Sequence, residues 1–321
     1  MAEITHRVVK TNGINMHVAE CGKGPLVILC HGFPELWYSW RHQLTALADA
    51  GFHAVAPDQR GYGRTDKPEL VEDYNILKLT GDIVGLVHIL GEEKAIIVGH
   101  DWGAPVAWHC ALLRPDTFRA LVLMSVPYRK SSWESSRPTE GMKRMAGEHE
   151  FYQLYFQEVG KAERELEIDV RKSMLMLLYS ASGDPPQDKR WRFLFDKSQK
   201  FIDTGCLPDT LPSWLTQQDL DIFSQEFKRT GFRGGLNWYR NIDRNWELTS
   251  FLNGAVIYQP TLFIAGEFDG VIAMSRRAFE TLETSIPHLR RKALLPYAGH
   301  WVQQERPHDV NKILIEFLTN L

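Results

Sequence analysis

The chain has 321 residues, of which 44% are apolar, 11% aromatic and 24% charged, a balance that excludes a disordered or fibrous polypeptide and allows one large domain or a core carrying a smaller insertion. Its 37 basic and 40 acidic side chains are spread along the sequence and leave a net charge of −3, which offers no footprint for nucleic acid or anionic lipid and favours a small neutral or apolar substrate. Cys21, Cys30, Cys110 and Cys206 lie in no C-x-x-C or metal-ligand spacing and are expected to be free thiols.

Short apolar runs at 26–30, 53–56, 95–98 and 120–125 read as buried strands, each followed by a Gly- or Pro-containing turn. The segments 38–50, 76–90 and 104–113 read as the helices between them. This alternation predicts an α/β fold with a doubly wound, mostly parallel sheet, whose ligand loops follow the carboxyl ends of the strands. From Arg129 the alternation stops. The next stretch is aromatic-rich and helix-like, broken by Gly183-Asp184-Pro185-Pro186 and Leu207-Pro208-Asp209, and no strand pattern is evident until 260–265. A further strand is expected at 292–295 and a closing helix at 303–321. The prediction is therefore a core at 1–128 and 247–321 with a helical lid inserted at 129–246, without internal repeats.

The run Ala95-Ile96-Ile97-Val98 followed by Gly99-His100-Asp101-Trp102-Gly103 has the frame of a G-x-S-x-G nucleophile elbow with Asp in the serine position. A serine attacks acyl carbon, whereas a carboxylate can displace at saturated carbon to leave an alkyl ester on the enzyme. Epoxides and alkyl halides thereby gain over esters and amides. Alternatively, Asp101 merely caps the following helix. Two later turns follow strands in the order nucleophile, acid, histidine: Gly266-Glu267-Phe268-Asp269-Gly270 and Tyr297-Ala298-Gly299-His300-Trp301. They nominate His300 as general base and Asp269 as its orienting acid, with Glu267 second choice because it shares the turn. Hydrolysis of an alkyl ester needs an oxyanion hole, and His31-Gly32-Phe33-Pro34 after the first strand is its expected source, the Phe33 N–H pairing with that of Trp102. Pro34 is a candidate cis residue.

With these residues in hand, the chain closely resembles the epoxide hydrolases of the α/β-hydrolase superfamily, both the plant and bacterial enzymes and the hydrolase domain of the mammalian soluble enzyme. The resemblance spans nearly the whole length and rests on His31-Gly32-Phe33-Pro34 with Trp37-Tyr38-Ser39-Trp40-Arg41, Asp58-Gln59-Arg60-Gly61-Tyr62-Gly63-Arg64-Thr65, Gly99-His100-Asp101-Trp102-Gly103 and Gly299-His300-Trp301. It implies that two lid tyrosines hold the epoxide oxygen. The matching segments are Phe151-Tyr152-Gln153-Leu154-Tyr155-Phe156-Gln157 and Gly235-Leu236-Asn237-Trp238-Tyr239-Arg240-Asn241, and the match assigns Tyr152 and Tyr239. Spacing alone does not separate Tyr152 from Tyr155, one helical turn on.

The resemblance further implies a substrate cleft bounded by Phe33, Pro34, Trp102, Tyr155 and Trp301, an apolar epoxide and water as partners, a vicinal diol as product, no metal or organic cofactor, and a monomer or homodimer. Activity is expected to fall as His300 protonates at acid pH and as the tyrosines ionise at alkaline pH. A haloalkane dehalogenase is the nearest alternative, disfavoured because many dehalogenases carry Asn where this chain has Phe33. A non-catalytic ligand-binding protein on the same fold is the alternative of another class. The N-terminal residues show no secretory pattern, no window is apolar enough to span a membrane, and Thr319-Asn320-Leu321 is not a peroxisomal signal, so a cytoplasmic location is expected.

Overall fold

The computed structural model describes residues 2–132 and 136–321. Its strands, in chain order, are β1 (Thr5–Thr11), β2 (Ile14–Cys21), β3 (Leu26–Cys30), β4 (His53–Pro57), β5 (Ala95–His100), β6 (Phe118–Met124), β7 (Glu150–Phe151), β8 (Leu194–Phe195), β9 (Thr261–Gly266) and β10 (Leu289–Leu295). Eight of them form one sheet in the order β1-β2-β4-β3-β5-β6-β9-β10. β2 pairs antiparallel with β1 and β4, and the other neighbours pair parallel. The central strands are apolar on both faces because helices cover both. Val27, Leu29, Ile96 and Val98 pack with Leu44, Leu47, Leu314 and Phe317 of helices Arg41–Asp49 and Pro307–Thr319. The alternate residues Ile28, Ile97, Leu121 and Leu123 pack with Ile83, Leu86, Val106 and Ala107 of helices Ile76–Ile89 and Gly103–Leu113.

The helices after β3 and β5 thus lie on opposite faces, which opens a crevice at the carboxyl ends of these two adjacent strands. Between β6 and β9 the helices run from Pro138–Ala146 to Ile242–Leu248, so the last of them ends beyond the boundary expected at 246. Aromatic side chains of this insertion, among them Phe156, Phe201, Phe223 and Trp238, belong to the same apolar cluster as one face of the sheet, and Trp238 Nε1 donates to Arg60 O at 3.1 Å across the junction.

Further elements differ from expectation, including the short helices Gly270–Met274, Arg276–Glu280 and Leu282–Ser285 between β9 and β10. The β1–β2 hairpin was not among the expected strands; its two-residue turn is Asn12-Gly13, both at positive φ (44° and 82°), the chemistry of a type I′ turn. β7 and β8 form a two-residue ladder inside the insertion, where no strand was expected. The closing helix is two helices, Val302–Glu305 and Pro307–Thr319, because Pro307 cannot continue a helix through its missing N–H and serves instead at the first turn of the next. Among the described residues no helix is long and apolar enough to cross a membrane.

Candidate active site

Asp101 lies between β5 and helix Gly103–Leu113 at φ +48°, a left-handed conformation uncommon for a residue with a side chain. The turn is held by backbone approaches that only glycine allows: a Cβ on Gly99 would lie 2.1 Å from Gly103 O, and one on Gly103 would lie 2.0 Å from Cys30 O. A Cβ on Gly32 would meet Asp101 Oδ1 at 2.3 Å. The Asp101 carboxylate does not cap the helix. Its Oδ1 accepts the Phe33 N–H at 2.8 Å, and its Oδ2 is 3.5 Å from His300 Nε2. The Phe33–Pro34 peptide is cis. Trp102 follows Asp101 as N-cap of the helix, where backbone N–H groups have no intrahelical acceptor.

His300 Nδ1 is 3.2 Å from Asp269 Oδ1 and 2.9 Å from Ser125 Oγ. Asp269 is buried at the N-cap of helix Gly270–Met274, its Oδ1 also accepting the Val271 N–H at 2.9 Å, which fixes the carboxylate facing the imidazole. Glu267, the second-choice acid, is exposed and makes no bond to His300.

Burial opposes a charge on Asp101, yet the hydrogen bond and charge of His300, the charge of His100 and the Phe33 N–H outweigh it and hold the carboxyl below its ordinary value. Burial also works against the His300 imidazolium, and the Asp269 and Asp101 carboxylates overcome it, raising the group well above 6.5. The two carboxylates thus favour an imidazolium at His300 in the resting site.

A cavity of about 240 Å³ opens onto this site, lined by Phe33, Pro34, Asp101, His300 and Trp301 from the core and by Tyr152 and Tyr239 from the insertion. A second cavity, about 1070 Å³, shares Asp101, Tyr152 and Tyr239 with the first and adds Trp102 and Trp108. Tyr239, on helix Arg233–Arg240, is fixed by edge-on rings: Phe33 at 5.5 Å, Trp102 at 5.2 Å and Phe156 at 5.0 Å between centroids. Tyr152 packs against Trp191 at 4.9 Å and Tyr239 at 6.0 Å, and its hydroxyl accepts from Gln153 Nε2 at 2.8 Å. Gln157 ties the two segments by donating to Gln153 O at 2.8 Å and Tyr239 O at 2.9 Å. Burial, then the charge of Asp101, pushes both phenols above their usual range.

Tyr155 is not brought to the site. It ends the single turn Tyr152–Tyr155 and faces the other way, its hydroxyl donating to Glu165 and its ring facing Phe195, Phe201 and the Lys161 ammonium at 4.0 Å. Among the described residues no group of three or more His, Cys, Asp or Glu is placed to hold a metal ion.

The family model for the alpha/beta hydrolase fold matches residues 25–307. Epoxide hydrolase A of Mycobacterium tuberculosis is 48% identical over 325 residues, covering 100% of this chain and 99% of that protein. This chain belongs to the epoxide hydrolases of the α/β-hydrolase fold. Among solved structures, epoxide hydrolase A from Mycobacterium thermoresistibile has a TM-score of 0.94 at 49% identity, covering 99% of both chains. An epoxide hydrolase from an endophytic Streptomyces has a TM-score of 0.95 at 45% identity, covering 99% of this chain and 96% of that one.

In this epoxide hydrolase the polar network extends past the expected residues. His100 Nε2 donates to His300 O at 2.7 Å, and its Nδ1 lies 2.7 Å from Glu35 Oε2, which also accepts the Gly32 N–H at 2.7 Å. His100 is thereby fixed between the backbone of the His300 turn and the Glu35 carboxyl. Gln303 Nε2 donates to Glu35 Oε1 at 3.0 Å. The only sequence signal for this network was position: Ser125 ends an expected strand, His100 sits in the elbow, and Glu35 follows Pro34.

Proposed function

We propose that this epoxide hydrolase works through an alkyl ester on Asp101. The observation that carries the reading is the carboxylate at the elbow facing the same cavity as two buried phenols, Tyr152 and Tyr239. The phenols donate hydrogen bonds to the epoxide oxygen while Asp101 Oδ2 attacks one ring carbon from the far side. The C–O ring bond breaks, and the departing oxygen takes the proton of one phenol to become the first hydroxyl; that phenolate recovers a proton from solvent, while the His300 imidazolium, no longer facing a charged Asp101, gives its proton up to solvent and becomes neutral. Oδ1, already facing the Phe33 N–H, becomes the ester carbonyl oxygen. Water, deprotonated by His300 Nε2, adds to that carbonyl carbon, and the oxyanion on Oδ1 is stabilised by the N–H groups of Phe33 and Trp102. The ester bond then breaks at Oδ2, which leaves with the diol as its second hydroxyl.

Esterification removes the Asp101 charge that helps keep His300 protonated, so the base becomes available in the step that needs it. Protonated His300 cannot take a proton from water, so kcat should rise with pH through the His300 titration in the alkyl-enzyme. Because both phenols are held above their ordinary range, no fall from their ionisation is expected below about pH 10, which moves the alkaline loss beyond where ordinary tyrosines would place it. A kcat that declines between about pH 8 and 10 while the protein stays folded would contradict this.

The two cavities meeting at Asp101 suit an apolar epoxide with a substituent in each, the bulkier in the larger. Incubation with styrene oxide, and separately with a chloroalkane, tests the reaction class. Diol without halide release is expected, and halide release without diol overturns the reading.

A further inference from the structure

The turn that carries His300 is fastened to the lid through backbone. The His300 N–H donates to Ala181 O at 2.9 Å, and Trp301 Nε1 donates to Leu178 O at 2.7 Å, both at the C-terminal end of lid helix Val170–Ala181. Just beyond that helix, Gly183 and Gly299 meet closely. A Cβ on Gly183 would lie 2.8 Å from Tyr297 O and 3.0 Å from Gly299 N, and one on Gly299 would lie 2.3 Å from Ser182 C.

The Glu305 carboxylate closes this seam. Its Oε2 accepts the N–H of Gly183 from the lid and of Gly299 from the core, each at 2.9 Å, and its Oε1 accepts the Trp301 N–H at 2.9 Å. Three N–H groups, one from the lid and two flanking the base, converge on one side chain. No Lys, Arg or His among the described residues pairs with it. Burial pushes its carboxyl up to about 7 against the pull of these N–H groups, with Asp184 adding to the rise. A half-buried carboxylate kept without a cation is costly, so what it fixes should matter.

We propose that Glu305 is a positioning residue for ester hydrolysis, holding the His300 turn and the lid in one register so that Nε2 is aimed at the attacking water. The proposal rests on the Asp101-ester reading above. Glu305→Gln keeps size and one acceptor oxygen but turns an NH₂ group toward backbone N–H donors. Gly183→Ala wedges the same seam from the lid without altering Glu305.

Rapid-quench single turnovers with styrene oxide, read by the mass of the Asp101 peptide, resolve ester formation from ester decay and count only folded sites. In both variants decay should slow by about 10- to 100-fold while formation stays within about twofold of wild type. In the steady state kcat and KM should then fall together, leaving kcat/KM unchanged. Decay at the wild-type rate in both variants overturns the proposal, as does equal slowing of both steps, which marks a purely structural role. If Glu305→Gln yields no folded protein, Gly183→Ala decides alone. A wild-type enzyme that never forms the ester overturns the functional reading itself, a result distinct from an unaltered variant.

Discussion

Exchange of His300 for Gln is expected to leave the enzyme alkylated at Asp101 after one turnover, with steady-state diol formation reduced by about 10⁴-fold or more. Attack on the epoxide needs an ionised carboxylate and phenol donors, none of which is His300. Without the imidazolium, Asp101 still has the Phe33 N–H at 2.8 Å and the nearby charge of His100, so it remains ionised at neutral pH. The neighbouring candidates are not placed to replace it in the second step: Asp269 faces His300 Nδ1 from behind, and His100 is engaged at both nitrogens by Glu35 and His300 O. Intact-mass measurement should show one adduct with the mass of the epoxide. A variant that turns over freely, or one that forms no adduct, contradicts the assignment of His300 to hydrolysis.

The lid phenols should give the second large effect, in the opposite step. Tyr152→Phe or Tyr239→Phe removes one donor to the developing alkoxide and is expected to lower kcat/KM by about 10²- to 10³-fold. The double variant should fall short of the product of the two, because the donors share one oxygen. Stability should change little, by about 1 kcal/mol or less, since Phe keeps the ring packing and each change loses one hydroxyl contact, to Gln153 for Tyr152 and to Trp102 for Tyr239. Tyr155→Phe serves as the control, because its hydroxyl goes to Glu165 outside both cavities. A Tyr239→Phe enzyme within about threefold of wild type would remove the phenols from the mechanism.

The sequence was most informative where one chain segment carries both a period and a turn. The run 95–98 followed by Gly99 and Gly103 placed Asp101, and the turns after β9 and β10 placed Asp269 and His300, because apolar strands and small residues leave a local trace. What could not be read joins residues distant in sequence. Glu35, His100 and Gln303 meet only in the folded core, and no periodicity records a hydrogen bond between side chains 65 positions apart. Tyr152 and Tyr155 share a helical turn, and only the packing of Trp191 and Phe193 on one side and Phe195 and Phe201 on the other decides which faces the site. The β1–β2 hairpin escaped because β1 is mostly exposed and shows no clear alternation, although Asn12-Gly13 carried the turn signal.

A single turnover in heavy-oxygen water tests the central claim most directly. With enzyme in excess of epoxide, the account predicts a first-turnover diol without label and one heavy oxygen in the peptide containing Asp101, because water adds to the ester carbonyl and Asp101 Oδ2 departs with the product. Label in that first diol, with an unlabelled Asp101 peptide, would mean that water attacks the epoxide directly and that Asp101 is not the nucleophile.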